Sequence, residues 1–184
     1  QSIGAVNTVV EENGKWVGYN SDCSGAIAAL EACTSLKDKN ILILGAGGTA
    51  KAIGYGVKEK GGKLTITYNR NKEKGENLAK ELGCELIHCR DAGTQSIDIL
   101  INCSPVGMNP NISESPFLAR DFKEGMVVFD SVYNPLETKL LREAKAAGCK
   151  VIPGSELFIN QAARQFELFT GQPALIDAMR CAKC

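Results

Sequence analysis

A glycine-rich segment that follows a short apolar run is the part of this sequence best suited to chemistry. Residues 41–44 are all aliphatic and lead into Gly-Ala-Gly-Gly-Thr-Ala. Gly45, Gly47 and Ala50 have the G-x-G-x-x-A spacing typical of a dinucleotide-binding strand–turn–helix unit. Gly45 permits the bend, Gly47 lets a pyrophosphate approach the backbone, and Ala50 lets the helix pack on the strand. The N–H groups and the helix dipole then hold the anion. The predicted cofactor-binding turn comprises Gly45, Ala46, Gly47, Gly48, Thr49 and Ala50.

The residues after the second predicted strand, 63–68, indicate which cofactor fits. An NAD-binding fold usually carries an acidic residue there, about 20 positions after the first glycine, which binds the ribose hydroxyls. This chain has Asn69 and Arg70 instead, and a guanidinium pairs well with a 2′-phosphate. Arg70, Lys72 and Lys74 could instead form a solvated helix start, but positive charge at a helix N-terminus is unfavourable there and favours a bound anion. The pattern predicts NADP, bound in part by Asn69, Arg70 and Lys74.

Composition excludes several classes of partner. The 184 residues suffice for one core, and 21 basic and 21 acidic residues give a net charge of zero. No basic excess indicates nucleic acid, and no apolar run approaches the roughly 20 residues that cross a membrane. We therefore expect neither a nucleic-acid nor a membrane partner.

The eight cysteines are scattered through predicted strands and helices, as reduced thiols of an intracellular α/β protein are. Cys181 and Cys184 form the one C-x-x-C pair, at the C-terminus where chains fray. A metal there would need two more ligands, and the single histidine, His88, is expected at the surface end of a strand. We predict no metal site.

Strand-like and helix-like segments alternate from residue 39 onward. This alternation predicts an α/β fold of the Rossmann type, a doubly wound parallel sheet with helices on both faces. The irregular stretch 104–125 follows the fourth strand, at the edge where such sheets bind ligands. Strands are predicted at 40–44, 63–68, 84–88, 97–102, 126–131 and 149–152, and helices at 48–60, 72–82, 137–147, 155–169 and 173–182.

A different pattern precedes this alternation. Residues 5–19 contain a Val- and Thr-rich segment, a Glu-Glu-Asn-Gly turn and a returning segment, which together predict a hairpin. Two strands alone are marginally stable in water, so we expect the hairpin to belong to a larger sheet. On sequence grounds alone, Asp22 is the N-cap of a helix over 23–33.

Several short motifs resemble a known family in their order and spacing. They are residues 4–8, 18–22, the glycine turn with Asn69 and Arg70, and residues 102–108, 130–135 and 154–161. The family is shikimate dehydrogenase, and the resemblance covers the whole chain but only the C-terminal two thirds of the family's fold. Residues 127–133 and 157–171 look most similar to the dehydrogenase half of bifunctional dehydroquinate dehydratase–shikimate dehydrogenases.

The resemblance implies reversible reduction of 3-dehydroshikimate to shikimate by NADPH. Asn7 and Asp22 match the amide and carboxylate that bind substrate hydroxyls, and Asp22 also matches the acid/base partner of a catalytic lysine. Such a dyad is reasonable because a carbonyl that receives hydride needs a proton donor near its oxygen. Substrate contacts are further implied for Tyr133 and Gln161, and cofactor contacts for Ser104, Met108 and Gly154. The structural alternatives are an N-cap for Asp22, turn hydrogen bonding for Asn7, a strand-end aromatic for Tyr133, a polar helix residue for Gln161 and core filling for Met108.

The family's N-terminal domain carries that lysine and two serines that bind the substrate carboxylate, and nothing in this chain matches it. We therefore expect residues 1–21 to be the hairpin remnant of a substrate domain and residues 22–36 a linker helix. Residues 37–184 form the NADP-binding domain, with C-terminal helices that pack toward the substrate domain. The expected partners are shikimate or 3-dehydroshikimate and the missing N-terminal domain of the same parent polypeptide. Two alternatives are a stand-alone NADP-binding or regulatory module and a quinate dehydrogenase. The expected location is the cytoplasm, or the plastid if the source is a plant.

Overall fold

An antiparallel hairpin opens the part of the chain, residues 3–181, that the computed structural model describes. Strands β1 (Thr8–Glu12) and β2 (Lys15–Tyr19) are joined at Asn13-Gly14. Both turn residues have positive φ, 51° and 77°, which a two-residue hairpin turn needs to match the strand twist. Among the described strands, these two form a separate sheet. The predicted hairpin is confirmed.

Six parallel strands form the main sheet. They are β3 (Asn40–Leu44), β4 (Lys63–Tyr68), β5 (Glu85–His88), β6 (Ile99–Asn102), β7 (Val127–Asp130) and β8 (Lys150–Ile152). Their order in space is β5-β4-β3-β6-β7-β8. From β3 the chain adds β4 and β5 on one side, and then β6, β7 and β8 on the other side. The switch leaves a crevice between β3 and β6, beyond the carboxyl ends of these two strands. The predicted Rossmann-type sheet is confirmed.

Helices cover both faces of the main sheet. They are α1 (Ser21–Glu31), α2 (Gly48–Glu59), α3 (Lys72–Leu82), α4 (Lys139–Ala146), α5 (Gly154–Thr170) and α6 (Ile176–Cys181), with 3-10 turns at Cys89–Thr94 and Ala119–Asp121. In β3, Ile41 and Ile43 join the core under α1, α2, α3 and α5, whereas Leu42 and Leu44 join the core under α4. A parallel strand buried on both faces must be apolar throughout, as this one is. None of the described helices is long and apolar enough to cross a membrane.

The predicted N-cap of α1 is wrong. Asn20, not Asp22, is the N-cap of α1, because its side-chain oxygen accepts a hydrogen bond of 3.0 Å from the Cys23 N–H. Asn and Asp are nearly equivalent as caps, so sequence alone did not separate them. The helix therefore begins at Ser21, and the expected division between residues 21 and 22 falls inside its first turn. The consequence is that the Asp22 carboxylate is available for other contacts.

Candidate cofactor and substrate site

The glycine turn connects β3 to α2 at the sheet reversal. Gly45 has φ +116°, and a Cβ placed on it would lie 3.2 Å from the Cys103 carbonyl oxygen after β6. Its N–H donates a hydrogen bond of 3.1 Å to the buried Thr67 hydroxyl of β4. Only glycine accommodates both this backbone conformation and the close approach of the β6 loop. The turn is therefore held against both neighbouring strands.

The surface of the turn is open where a phosphate would lie. A Cβ on Gly47 or Gly48 would meet no atom within 4 Å. Helices α1, α3 and α4 have N-caps whose side chains accept hydrogen bonds, but Gly47, the N-cap of α2, has no side chain to do so. The first N–H groups of a helix lack intrahelical partners, so those of α2 are free to bind an anion. This open cradle fits the pyrophosphate of a dinucleotide.

We expect Gly45→Ala to lower the free energy of unfolding by about 1–3 kcal/mol, since alanine is strained at positive φ. We also expect the variant to bind NADPH about tenfold more weakly, because the turn shifts. Chemical denaturation and calorimetric titration measure the two effects. Gly125→Ala is the matched control, because Gly125 also has positive φ, 82°, and open space around it. The control should lose similar stability and keep its NADPH affinity; equal affinity losses in both variants would contradict the role of Gly45.

Two cations without ion-pair partners follow β4, beside the glycine turn. Within residues 3–181, the exposed side chains of Arg70 and Lys74 make no ion pair, whereas Lys72 pairs with Glu76 at 3.1 Å. Asn71 caps α3 by accepting a hydrogen bond of 2.8 Å from the Lys74 N–H. The cap occupies the Asn71 side-chain oxygen and leaves Arg70 and Lys74 for a phosphate. Asn69 is exposed at the same strand end.

The loop after β6 forms the other wall of the crevice. Fully buried Asn102 accepts hydrogen bonds from the Ser104 N–H, at 2.9 Å, and the Ser104 hydroxyl, at 2.7 Å. The hydroxyl hydrogen of Ser104 is thus used within the loop, and its oxygen also accepts a long hydrogen bond of 3.4 Å from the Val106 N–H, which leaves one lone pair for a cofactor. Met108 lies further along this loop with 46% of its surface exposed, so it does not fill the core. Its predicted packing against the nicotinamide stays a prediction.

A buried carboxylate joins this loop to the one after β7. Asp130 accepts hydrogen bonds from the Asn102 amide at 2.9 Å, the Thr138 hydroxyl at 2.6 Å and the Val132 N–H at 3.0 Å. Burial raises the pKa of Asp130, and the three donors oppose that increase. These residues were not predicted from the sequence, because nothing local indicates that positions 102, 130 and 138 meet. The hydrogen bonds among these residues hold the loops after β6 and β7 together at the carboxyl end of the sheet.

We expect Thr138→Val to lower the free energy of unfolding by about 2–4 kcal/mol at neutral pH. The variant loses a hydrogen bond to a buried carboxylate and the N-cap of α4. The pKa of Asp130 is higher in the folded state than in the unfolded state. Its contribution to the free energy of unfolding is therefore fully present below the unfolded-state pKa and is lost as the pH rises through the folded-state pKa. Removing a donor raises that pKa further, so the loss should be larger at neutral pH than near pH 4. Urea denaturation at both pH values measures this, and a loss that is equal at both would contradict it.

Thr94→Val is the matched control for this prediction. The Thr94 hydroxyl also donates a hydrogen bond, of 2.7 Å to the Asp91 carbonyl, but it is exposed. A surface substitution of this kind should change the free energy of unfolding by about 0.5 kcal/mol at most, without pH dependence.

A cleft of about 180 Å³ lies where α1, α2, α5 and the loop after β7 meet. Three predicted substrate residues, Asp22, Tyr133 and Gln161, line it together, although they are far apart in sequence. Gly154 and Thr49, from the predicted cofactor set, line the same cleft. The remaining lining residues are Ser131, Leu157 and Phe158. Two larger depressions, of about 330 and 290 Å³, contain none of the predicted residues and lie around the amino ends of the strands.

Two glycines let the helices around this cleft approach closely. A Cβ on Gly25 would lie 2.8 Å from the Gln161 backbone nitrogen, so Gly25 permits the contact that brings Asp22 on α1 near Gln161 on α5. A Cβ on Gly154 would lie 2.3 Å from the Val132 carbonyl oxygen, so this position also requires glycine. Gly25 was not among the residues predicted from the sequence. A glycine inside a predicted helix, where it costs stability, was the available signal.

Asn7 adjoins the cleft through Asp22. Its side-chain oxygen accepts hydrogen bonds from the Ser21 N–H at 2.9 Å, the Ser21 hydroxyl at 3.0 Å and the Thr8 hydroxyl at 3.0 Å. Burial raises the pKa of Asp22, and a hydrogen bond with the Asn7 side chain lowers it. The pair presents an amide and a partly buried carboxyl group, which suits the binding of hydroxyl groups.

The cysteines and the histidine lie apart from this site or have structural roles. The His88 side chain accepts a hydrogen bond of 3.0 Å from the Arg90 N–H, and its ring packs edge-on against Tyr68. Over residues 3–181, all cysteines are free, and no group of three or more His, Cys, Asp or Glu side chains could hold a metal ion. Cys184, half of the C-x-x-C pair, lies outside the described residues.

Two family models match this chain. The model of shikimate/quinate 5-dehydrogenase matches residues 27–130, from α1 to the end of β7, and that of the shikimate 5′-dehydrogenase C-terminal domain matches residues 154–182. The chain belongs to the shikimate/quinate 5-dehydrogenase family. The matched segments of this family member include the glycine turn, Arg70, Gly154 and Gln161.

Relatives of this family member support the assignment. The shikimate dehydrogenase (NADP(+)) of Methanocaldococcus jannaschii is 43% identical, over 99% of this chain and 68% of the relative. The chloroplastic bifunctional 3-dehydroquinate dehydratase/shikimate dehydrogenase of Arabidopsis thaliana is 40% identical, over 95% of this chain and 32% of the relative. The chain thus spans about two thirds of the first relative and one third of the second.

Solved structures agree with the fold of this dehydrogenase-family chain. The shikimate 5-dehydrogenase of Thermus thermophilus, in complex with NADP(H) and shikimate, has a TM-score of 0.87 and 37% identity. The match covers 98% of this chain and 67% of that one. A quinate dehydrogenase of Corynebacterium glutamicum, in complex with NAD, has a TM-score of 0.86 and 30% identity, over 97% of this chain and 67% of that one.

Proposed function

We propose that this chain is the cofactor-binding part of an NADP-dependent shikimate dehydrogenase, which reversibly reduces 3-dehydroshikimate to shikimate. One observation carries the proposal: Asp22, Tyr133 and Gln161 line a single cleft together with Thr49 of the glycine turn. A module that only bound nucleotide would not need hydrogen-bonding groups from three separate elements beside its cofactor cradle. The Methanocaldococcus jannaschii relative named above is a shikimate dehydrogenase (NADP(+)), and the Thermus thermophilus structure holds NADP(H) and shikimate.

The residues present fit NADP. The open space over Gly47 and Gly48 accommodates a pyrophosphate, and Arg70 and Lys74 offer positive charge where a 2′-phosphate would lie. No acidic residue occupies the strand end to repel that phosphate. When bound, NADPH supplies the hydride for the reduction.

The chain's own residues bind and orient the substrate. Asp22 accepts a hydrogen bond from a ring hydroxyl, and its raised pKa lets it take part in proton transfer near the reacting oxygen. Gln161 and Tyr133 bind further polar groups from the opposite walls of the cleft. Leu157 and Phe158 give this side of the cleft an apolar wall.

An N-terminal substrate domain of the same parent polypeptide would complete the site by providing the family's lysine and serines. The hairpin supports this part of the proposal. Trp16 is 76% exposed and Val9 is 51% exposed, on a two-stranded sheet that is marginal by itself. A location in the cytoplasm, or in the plastid if the source is a plant, belongs to the same proposal.

Titration of the NADPH-saturated chain with shikimate and with quinate tests the substrate assignment. We expect shikimate to bind more tightly, and Asp22→Ala or Gln161→Ala to weaken its binding by about 10- to 100-fold through loss of a buried hydrogen-bond partner. Ser24→Ala, on the exposed side of α1, should leave the affinity unchanged. Tighter binding of quinate would favour quinate dehydrogenase, and binding of neither acid would favour a nucleotide-binding module.

A further inference from the structure

We propose that the side chains of Thr8, Ser21 and Gln165 form an anchor that fixes the orientation of the Asn7 amide and so positions Asp22 for substrate. We call these three residues the Asn7 anchor. None of them lines the cleft, so they act through Asn7 and Asp22. The substrate-affinity part of this inference rests on the proposed function, whereas its geometric part does not.

The hydrogen bonds at Asn7 decide which way its amide points. A backbone N–H can only donate, and the Ser21 N–H meets the Asn7 side chain at 2.9 Å, so the atom that it meets is the oxygen. The hydroxyls of Ser21 and Thr8 donate to the same oxygen, each at 3.0 Å. With three donors on its oxygen, the amide keeps its NH₂ group for other partners, and its influence on the neighbouring Asp22 carboxyl lowers the pKa of that group.

Gln165 completes the anchor from a distant part of the chain. Its side-chain nitrogen on α5 donates a hydrogen bond of 3.1 Å to the Thr8 hydroxyl oxygen. The Thr8 hydroxyl therefore accepts from Gln165 and is left to donate its one hydrogen to Asn7. Thr8 is 3% exposed and Ser21 is fully buried, so the two hydroxyl donors are shielded from water although Asn7 itself is exposed. Gln165 lies about one helical turn after Gln161, so α5 supplies both a substrate-binding group and part of the anchor.

Few other groups could orient or titrate Asp22. The Cys23 thiol follows it on α1, and the Tyr133 hydroxyl lines the same cleft. From α2 and α5 the cleft receives Thr49, Leu157, Phe158 and Gln161, none of which is charged. The Asn7 side chain lowers the Asp22 pKa and is hydrogen-bonded to Ser21, the residue that precedes Asp22, so the orientation of the Asn7 amide matters.

The test compares the double variant Ser21→Ala/Thr8→Val with wild type and with Ser21→Thr, which keeps the hydroxyl. Ser24→Ala is the control on the exposed side of α1. Carbon-detected NMR of the Asp22 carboxyl gives its pKa, and calorimetry gives the affinities for NADPH and, with NADPH present, for shikimate. We expect the double variant to have a higher Asp22 pKa, because the Asn7 hydrogen bond that lowers it is weakened. It should also bind shikimate about 3- to 10-fold more weakly, with unchanged NADPH affinity. Ser21→Thr and Ser24→Ala should resemble wild type.

An unchanged Asp22 pKa in a double variant that still binds NADPH would overturn the anchor, as would a parallel loss of NADPH affinity. If the double variant does not fold, Gln165→Leu provides the same comparison from the partly exposed end of the anchor. A higher Asp22 pKa in a chain that binds no shikimate would uphold the anchor and reject the proposed substrate. The NMR readout thus separates the two claims.

Discussion

The purified 184-residue chain should bind NADPH yet reduce 3-dehydroshikimate about 10²- to 10⁴-fold more slowly than the same chain joined to an N-terminal substrate domain of the family. The described cleft holds Asp22, Tyr133 and Gln161 but no lysine, so Asp22 lacks the acid/base partner with which it would deliver a proton to the carbonyl oxygen. No cationic side chain lines the described cleft to bind the substrate carboxylate, which reduces positioning. Oxidation of NADPH, followed by its absorbance, measures both rates.

A fusion with the N-terminal domain of the Methanocaldococcus jannaschii relative would provide the reference protein. Asp22→Asn should slow this fusion strongly, because the lysine of the added domain then loses its acid/base partner. Turnover by the unfused chain at a rate close to that of the fusion would disprove the need for a second domain.

Arg70→Ala should weaken NADPH binding by about 10- to 100-fold and leave NADH binding nearly unchanged. A charge-assisted hydrogen bond with a phosphate contributes about 1.5–3 kcal/mol to binding. NADH has no 2′-phosphate and makes no such bond with Arg70, so its affinity does not depend on this side chain. Because Arg70 makes no ion pair within the described residues, its removal should not disturb the fold. Fluorescence titration with both nucleotides measures the selectivity directly.

Arg120→Ala is the matched control, since Arg120 is also exposed, lies in the 3-10 turn before β7 and makes only a weak ion pair of 3.9 Å with Asp121. It should alter neither affinity. Equal losses of NADPH and NADH affinity in Arg70→Ala would refute the 2′-phosphate role, even with a normal control.

The sequence was sufficient to predict the main sheet and the glycine turn because both depend on local rules. An apolar strand that runs into Gly45 forces a bend, and alternation of strands and helices specifies a parallel sheet. Asp22, Tyr133 and Gln161 were identified only through family resemblance. Their own types would equally suit a helix cap, a strand end and an exposed helix face.

The residues that position the site were not predictable because their roles depend on partners far away in the chain. Asn102 donates a hydrogen bond to Asp130, 28 positions later in the chain, and the missing side chain of Gly25 allows α5 to pack closely against α1. The cap of α1 was misassigned to Asp22 because a local rule favoured two nearby candidates about equally. Local patterns thus specified the strands and helices, whereas tertiary contacts determined which polar side chains remained available for ligand binding.

A crystal structure of the chain with NADP⁺ and shikimate is the most direct test of the account. We predict the pyrophosphate over Gly47 and Gly48, the 2′-phosphate against Arg70, and shikimate in the cleft between Asp22 and Gln161. An Arg70 side chain directed away from the nucleotide, or a glycine turn filled by protein atoms with the ligands bound elsewhere, would contradict it.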